Sequence, residues 1–412
     1  MSVFPFSDSA DNRFAAMTRP PSTRFSLPQV GSTLLLGALA LLILGLQPIL
    51  LDELVSDRII TMEGVGIIAM GEIVALGLGV TIGDLLLSLA RYRSTLIISA
   101  LLVALLDLLT AQAHGDLQFT LLRIGAGLAE GVLVWGATSV IVRASNPGRL
   151  TALFMVWQTL LQSSTASALA SWVLPGLGWR AGFQVLALTA VLAALLPLAL
   201  PRQLQPLAAP TEARLKWSST CLLPLAVAFC QMAGIGALWM YLEPIGVAHG
   251  LPASQAHALI STVLLMQVAG GVMAIWLVRH LPLVATLTIG ALVLAAVSAA
   301  IYLMPEHAPG AFRWLSHVFG FAWLFLMPFH VPLAFRADDK GRVAVLVPAA
   351  QLLGSAFGPL VASLVVSGEN TAWVPLVSFA FAAAMMLMMV VGRKRWSRHP
   401  LQPQDTYTGA TG

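Results

Sequence analysis

Four ionisable side chains stand inside long apolar stretches of this 412-residue chain: Glu72, Asp107, Arg123 and Glu130. A charged group at the centre of a bilayer costs at least ~2.5 kcal/mol on insertion scales, so each of them calls for a physical reason. Asp107 and Arg123 are each eight residues from position 115. On an antiparallel hairpin that spacing gives equal depth, so the two can pair. Such a pair either locks two helices together or leaves Arg123 to attract an anionic substrate and tune a nearby carboxylate. Arg123 and Glu130 are seven residues apart and share a helical face. Removal from water disfavours the charged form of a carboxyl and brings proton exchange toward physiological pH. Proton coupling needs that chemistry, and Glu130 and Glu72 are its candidates, with Asp107 and Arg123 beside them. The plainer alternative is a protonated carboxyl hydrogen-bonded between helices.

A second set of residues suits contact with a solute. Tyr241 and Glu243 lie in Trp239-Met240-Tyr241-Leu242-Glu243-Pro244, where Pro244 removes a backbone donor and predicts a kink. An acid and aromatics beside a broken helix suit a gate or a substrate contact, and a snorkelling interfacial acid is the alternative. Gln158, Gln162, Ser163 and Ser164 cluster in one stretch, and Gln231 and Gln267 add two more carboxamides. Neutral polar groups of this kind line cavities or join helix to helix. Trp135 and Trp157 either stack a planar ligand or pack. His317 and His330 are either packing groups or proton relays. Glu63 reads as interfacial, and Trp314 and Trp373 as members of an aromatic belt.

Other chemistries find no support. Cys221 and Cys230 share one apolar segment and behave as small hydrophobes, with neither a disulfide framework nor a metal motif. No His/Cys/Asp group has metal-binding spacing along the chain, and no cofactor is expected. There is no Gly-x-x-x-x-Gly-Lys-Ser phosphate loop, no Ser/His/Asp elbow and no zinc helix motif. An ATP-driven pump and an enzyme are therefore both disfavoured.

The elements that carry these residues follow from composition. The chain is 58% hydrophobic and 10% charged, with a mean hydropathy of +0.86, whereas a soluble domain carries roughly 25% charged residues. A bilayer core of about 30 Å takes a helix of about 20 apolar residues. The apolar runs here are long and unbroken, unlike the short alternating strands of a β-barrel. The expected fold is all-α and polytopic, with twelve spans near 31–51, 59–83, 96–113, 119–142, 150–174, 181–200, 221–247, 256–278, 281–303, 312–335, 343–366 and 371–391. Breakers such as Asn146-Pro147-Gly148, Pro175-Gly176, Pro201, Gly250-Leu251-Pro252 and Pro309-Gly310 mark the ends. The polar start of the chain leads into an apolar stretch without a small-residue cleavage site, which reads as a retained first helix. The pI of about 9.4 comes from basic residues scattered over short loops, so it does not imply nucleic-acid binding.

Charge sets the expected orientation. With the N-terminus in the cytoplasm, 18 of the 22 Lys and Arg residues fall inside, among them Arg13, Arg19, Arg24, Arg91, Arg93, Arg143, Arg149, Arg214, Lys216, Arg279, Lys340 and Arg398. Arg58, Arg180 and Arg313 fall outside, and Arg123 lies within a span. This asymmetry supports twelve spans with both termini cytoplasmic. The chain divides into an N-terminal tail (1–28), a six-helix half (29–200), a polar linker (201–220), a second six-helix half (221–392) and a C-terminal tail (393–412). Two six-helix repeats with a solute site between them at mid-depth are a standard transporter plan.

On several motifs the chain resembles the major facilitator superfamily over about residues 30–392. Span 4 reads Arg123-Ile124-Gly125-Ala126-Gly127-Leu128-Ala129-Glu130-Gly131, similar to the family's Arg-x-x-x-Gly-x-Gly pattern. Span 6 opens with Gly178-Trp179-Arg180-Ala181-Gly182-Phe183. Span 11 carries Gly354-Ser355-Ala356-Phe357-Gly358-Pro359, like the family's Gly-x-x-x-Gly-Pro packing motif, after the tight turn Asp339-Lys340-Gly341-Arg342. The loop between spans 2 and 3 keeps only Gly83-Asp84 and the later Arg91 and Arg93 of the family's longer signature. Span 5 lacks the Gly-Pro pair of proton-driven drug exporters, which leaves the direction of transport open. The resemblance implies a monomeric, proton-coupled carrier that moves a small organic solute by alternating access in a bacterial inner membrane. Its expected partners are that solute, the lipid bilayer and protons. The alternative is a sensor or assembly partner on the same fold that transports nothing.

Overall fold

The computed structural model describes residues 25–144, 147–205, 218–278, 280–305, 307–338 and 343–396. The greater part of both tails and of the linker, Asn146 and the turn Asp339-Lys340-Gly341-Arg342 lie outside the described residues. So do Arg13, Arg19, Arg24, Arg214, Lys216, Arg279 and Arg398 of the charge count. Among the described residues the chain is helical apart from short connections and one isolated bridge between Ser367 and Asn370.

Among the described residues, ten helical stretches are long and apolar enough to cross a membrane. One of them, Arg149–Ala199, holds two spans, which meet at a π-helical turn over Leu169–Val173 and at Gly178. Gly178 takes φ +69°, in the left-handed region where a side chain is strained, and this glycine lets the chain enter span 6 at Trp179. Val347–Ser363 is a shorter apolar helix and supplies span 11. The result is a bundle of twelve spans in two six-helix halves. One face of the bundle, here the terminal face, holds the start of span 1 and the end of span 12; the other is the opposite face.

Local chemistry sets where the helices start and break. Span 1 begins at a capping box in which Ser26 N donates to Gln29 Oε1 at 2.9 Å. It is broken at Leu41 into Leu27–Ala40 and Leu42–Ser56. The break exposes the Leu41 carbonyl, which accepts from Gln162 Nε2 of span 5 at 2.6 Å. Pro48 has no N–H to give its own helix, so the Leu44 carbonyl is free to accept from Trp239 Nε1 of span 7 at 3.2 Å. Span 7 is interrupted at Tyr241, which separates Ser219–Met240 from Leu242–Ala248. The kink expected at Pro244 thus appears a turn earlier, at the level of the carbonyl that proline leaves unpaired.

Small residues set how closely the helices approach. In a membrane, helices associate by van der Waals packing, and glycine lets backbones touch. Spans 2 (Met62–Leu86) and 4 (Gly115–Ile141) form the tightest pair. A Cβ on Gly127 would strike the Glu72 carbonyl, and one on Gly131 would lie 2.8 Å from Gly79 Cα. Spans 7 and 11 repeat the device, with Gly354 against the Phe229 carbonyl and Gly358 against that of Ala233. The halves meet chiefly where span 2 packs on span 11 and span 5 on span 8.

Candidate functional site

The close approach of spans 2 and 4 delivers Glu72 to Arg123. Arg123 is 1% exposed. Its Nε donates to Glu72 Oε1 at 2.8 Å, and its Nη2 also contacts that oxygen. Nη1 donates to Asp107 Oδ1 at 2.6 Å, and Nη2 lies 3.3 Å from Glu130 Oε1. Phe183 of span 6 lies under the guanidinium at 5.7 Å from its ring centroid. The pairing of Asp107 with Arg123 agrees with their equal spacing from the hairpin. Glu72 and Glu130 join the same cation, so one guanidinium faces three acids within a buried cluster.

Two features connect this cluster to its surroundings. Gln47 of span 1 donates from Nε2 to Glu72 Oε2 at 2.7 Å. Glu130 Oε2 is buried without a hydrogen-bond partner and, with Asp107, borders a small cavity of about 20 Å³. That volume admits about one water molecule.

A larger cavity of about 330 Å³ lies between the halves at mid-depth. Its lining mixes apolar side chains with Gln47, Gln158, Gln162, Gln267 and Gln351, with Thr138, Thr159 and Ser355, and with the indoles of Trp239 and Trp323. Those indoles pack edge-on at 5.3 Å. Among the described residues, no Asp, Glu, Lys or Arg lines the cavity. Gln158 Oε1 and Gln267 Nε2 are buried without a hydrogen-bond partner. Gly45 makes room for Gln162, whose Cβ would lie 2.8 Å from a Cβ at position 45.

The cavity takes some of the solute-contact candidates and leaves others elsewhere. Gln158, Gln162 and Gln267 line it. Trp135 instead packs under Gly83 and edge-on to Tyr92 at 6.0 Å. Tyr241 donates its hydroxyl to the Met62 carbonyl at 3.3 Å, and Glu243 lies at the opposite face. Gln231 and His330 sit behind the wall: His330 Nε2 is 3.0 Å from Gln231 Oε1 and its Nδ1 is 2.9 Å from Gln351 Nε2. A carboxamide that donates to Nδ1 leaves Nε2 carrying the proton, so both histidine nitrogens are satisfied. Trp157 and Ser164 are exposed. The anion-attracting alternative for Arg123 does not fit its placement, because the acids around it occupy the guanidinium and it does not line the cavity.

Residues that spacing along the chain could not single out are Gln47, Gln351 and Trp323 in the cavity wall, and Asp52 and His257 at the opposite face. At that face the side chains of Asp52, Glu243 and His257 converge, with ligand atoms within 4.8 Å of one another. No metal-like spacing exists in the sequence because three separate helices supply the set.

Four side-chain hydrogen bonds among the described residues cross between the halves from mid-depth to the opposite face. They are Trp239 to Leu44, Ser163 Oγ to the Ser261 carbonyl at 2.8 Å, Tyr241 to Met62, and Gly368 N to Glu63 Oε1 at 2.8 Å. The seam is therefore bonded shut on the opposite side of the cavity.

The Major Facilitator Superfamily profile matches residues 30–334. No curated protein matches the sequence. Among solved structures, the nucleoside transporter NupG superposes with a TM-score of 0.68 at 13% identity, covering 89% of this chain and 99% of its own. A bacterial homolog of the human lysosomal transporter Spinster, inward-facing and unoccupied, gives a TM-score of 0.60 at 15% identity over 90% of this chain and 97% of its own. The xylose transporter XylE from E. coli, in a partially occluded inward-open conformation, gives 0.59 at 16% identity over 89% and 99%.

Proposed function

This chain belongs to the Major Facilitator Superfamily, and from that premise we propose that it carries a small, uncharged organic solute through the cavity between its halves, coupled to protons held by the Arg123 cluster. It is an integral membrane protein and a transporter rather than an enzyme. The observation that carries the proposal is the position of Gln47. One face of that side chain borders the charge-free cavity and its amide bonds Glu72 of the buried ionisable cluster.

The class of solute follows from the lining. A cavity of about 330 Å³ falls at the lower end of the range for small-molecule sites. Carboxamides and hydroxyls offer donors and acceptors, and the Trp239–Trp323 pair offers a surface for a planar or apolar group. An ionic solute would meet no counter-charge there, and burying an unpaired charge is costly. Proton coupling rests on charge balance: one guanidinium compensates one carboxylate, and three acids surround it. A proton arriving at or leaving Glu130 or Glu72 changes what Arg123 and Gln47 bond, and so the wall of the solute cavity.

Alternating access is supported by the bonds that join the halves from mid-depth to the opposite face, beyond the cavity. With both termini in the cytoplasm of a bacterial inner membrane, as the Lys and Arg asymmetry favours, the bonded side faces outward. The chain is proposed to act as a monomer. The test is uptake of a panel of uncharged solutes into proteoliposomes, with and without a protonophore. Transport by a Glu72→Gln/Glu130→Gln double variant with an undiminished response to pH would refute the coupling assignment. A sensor without transport would show no solute-dependent proton movement for any member of the panel.

A further inference from the structure

Asp52 and Glu53 close span 1, Glu243 stands in the short helix Leu242–Ala248, and His257 lies in the first turns of Ala253–Leu277. They meet at the opposite face of the bundle. His257 Nε2 is 2.5 Å from Glu243 Oε1, 3.6 Å from Glu53 Oε1 and 4.0 Å from Asp52 Oδ2. Glu243 is 1% exposed, and neither of its carboxylate oxygens has a partner in hydrogen-bond geometry, Oε1 included despite its nearness to the imidazole. Among the described residues, no Lys or Arg pairs with Asp52, Glu53 or Glu243. A fully buried, unbonded carboxylate aimed into a group of two further acids and an imidazole is costly without a cation.

The donor set identifies the cation. One imidazole nitrogen with carboxylate oxygens suits a first-row divalent ion of the zinc type rather than magnesium or calcium, which take oxygen alone. Metal–ligand bonds of about 2.0–2.2 Å place neighbouring ligand atoms roughly 3–3.5 Å apart. The 3.6 Å and 4.0 Å separations are already close to that, and the 2.5 Å contact would open by about 1 Å. We propose that Asp52, Glu243 and His257 bind a divalent transition-metal ion such as Zn²⁺, with the third carboxylate, Glu53, within reach as a fourth ligand. Asp52 and Glu53 belong to the first half and Glu243 and His257 to the second, so the ion ties the halves together at the bonded side of the seam. The binding claim stands without the transport reading, because it concerns ligands that do not touch the solute cavity.

The test uses the full chain in detergent, stripped with a chelator and titrated with Zn²⁺ by calorimetry. The expected result is one ion per chain, weakened at least about tenfold in both Glu243→Gln and His257→Gln, since even the outer-shell partners of a metal typically matter by 10–100-fold. His257→Cys, which supplies a thiolate, is expected to retain binding. Metal-free melting temperatures of the variants show whether they fold. If they do not, zinc-edge X-ray absorption of the native chain decides: a nitrogen and oxygen shell supports the site, and a sulfur shell, pointing to Cys221 or Cys230, overturns it. Absence of saturable one-to-one binding by the native chain, or binding that neither substitution weakens, also overturns it.

Discussion

Gln47 donates to Glu72 Oε2 at 2.7 Å while facing the solute cavity, and so joins the cavity wall to the charge cluster behind it. Gln47→Leu keeps the volume but removes the bond. It is expected to leave solute binding measurable while abolishing its dependence on pH. The unpaired Glu72 oxygen should lower stability by about 1–3 kcal/mol. Thermal melts in detergent and binding isotherms across pH check both parts.

Arg123→Met should be the most damaging single change in the cluster. Removing one partner of a buried ionic group costs about 3–5 kcal/mol because the others are left uncompensated. Adding Glu72→Gln and Asp107→Asn to Arg123→Met removes two of the stranded acids, and it is expected to recover part of the loss. Melting temperatures of the single and triple variants test this, and a triple variant less stable than Arg123→Met would contradict the charge-balance account.

Glu130 Oε2 has no hydrogen-bond partner. Glu130→Gln keeps an amide oxygen to accept from Arg123 Nη2, 3.3 Å from Oε1, and alters only the unbonded Oε2, so it is expected to fold with a change within about 1 kcal/mol. If Glu130 carries the exchangeable proton, the infrared difference spectrum of the native chain across a pH step shows a carboxyl band that Glu130→Gln lacks. An identical spectrum in the variant would assign the proton elsewhere, with Glu72 as the next residue to test.

The glycine contact between spans 2 and 4 makes a paired prediction. A side chain on Gly131 would collide with the Leu76 carbonyl and sit 2.8 Å from Gly79 Cα. Gly131→Leu should therefore cost about 1–3 kcal/mol or more by overpacking, and it should lift Glu72 away from Arg123. Gly77, in span 2 near Gly79, has nothing within 4 Å of an added Cβ, so Gly77→Ala should be neutral or stabilising by up to about 1 kcal/mol. Melts of the two variants separate the close packing of the two helices from a general intolerance of their glycines to substitution.

Gln158 Oε1 and Gln267 Nε2 present unpartnered polar atoms at the cavity wall. Their replacement by Leu should leave the fold intact and weaken a hydrogen-bonding solute at least about tenfold, since polar groups built to meet a ligand group discriminate strongly. Titration of the transported solute into each variant checks this.

Much of the architecture was legible in the sequence. Length and hydropathy of the apolar runs imply twelve spans, because only helices and closed barrels satisfy their backbone inside lipid and these runs lack a barrel's alternation. Spacing alone pairs Asp107 with Arg123, since a hairpin sets equal depth. The period of the helix places Glu130 on the same face as Arg123, and the glycines of span 4 announce a close neighbour.

Only the tertiary structure decided which neighbour, and so which side chains meet. Glu72 reaches Arg123 across 51 positions because Gly127 and Gly131 let span 2 touch span 4. Gln47 enters because span 1 turns that face to the cavity, whereas Trp135 turns away and packs under Gly83. Asp52, Glu243 and His257 come from three helices and have no common spacing. The physical reason lies in the solvent. In water an apolar stripe marks the buried face of a helix, but lipid is as apolar as the protein interior, so hydropathy places a helix in the membrane without setting its rotation. Rotation is set by small residues and buried polar bonds between helices, and those exist only once the bundle has assembled.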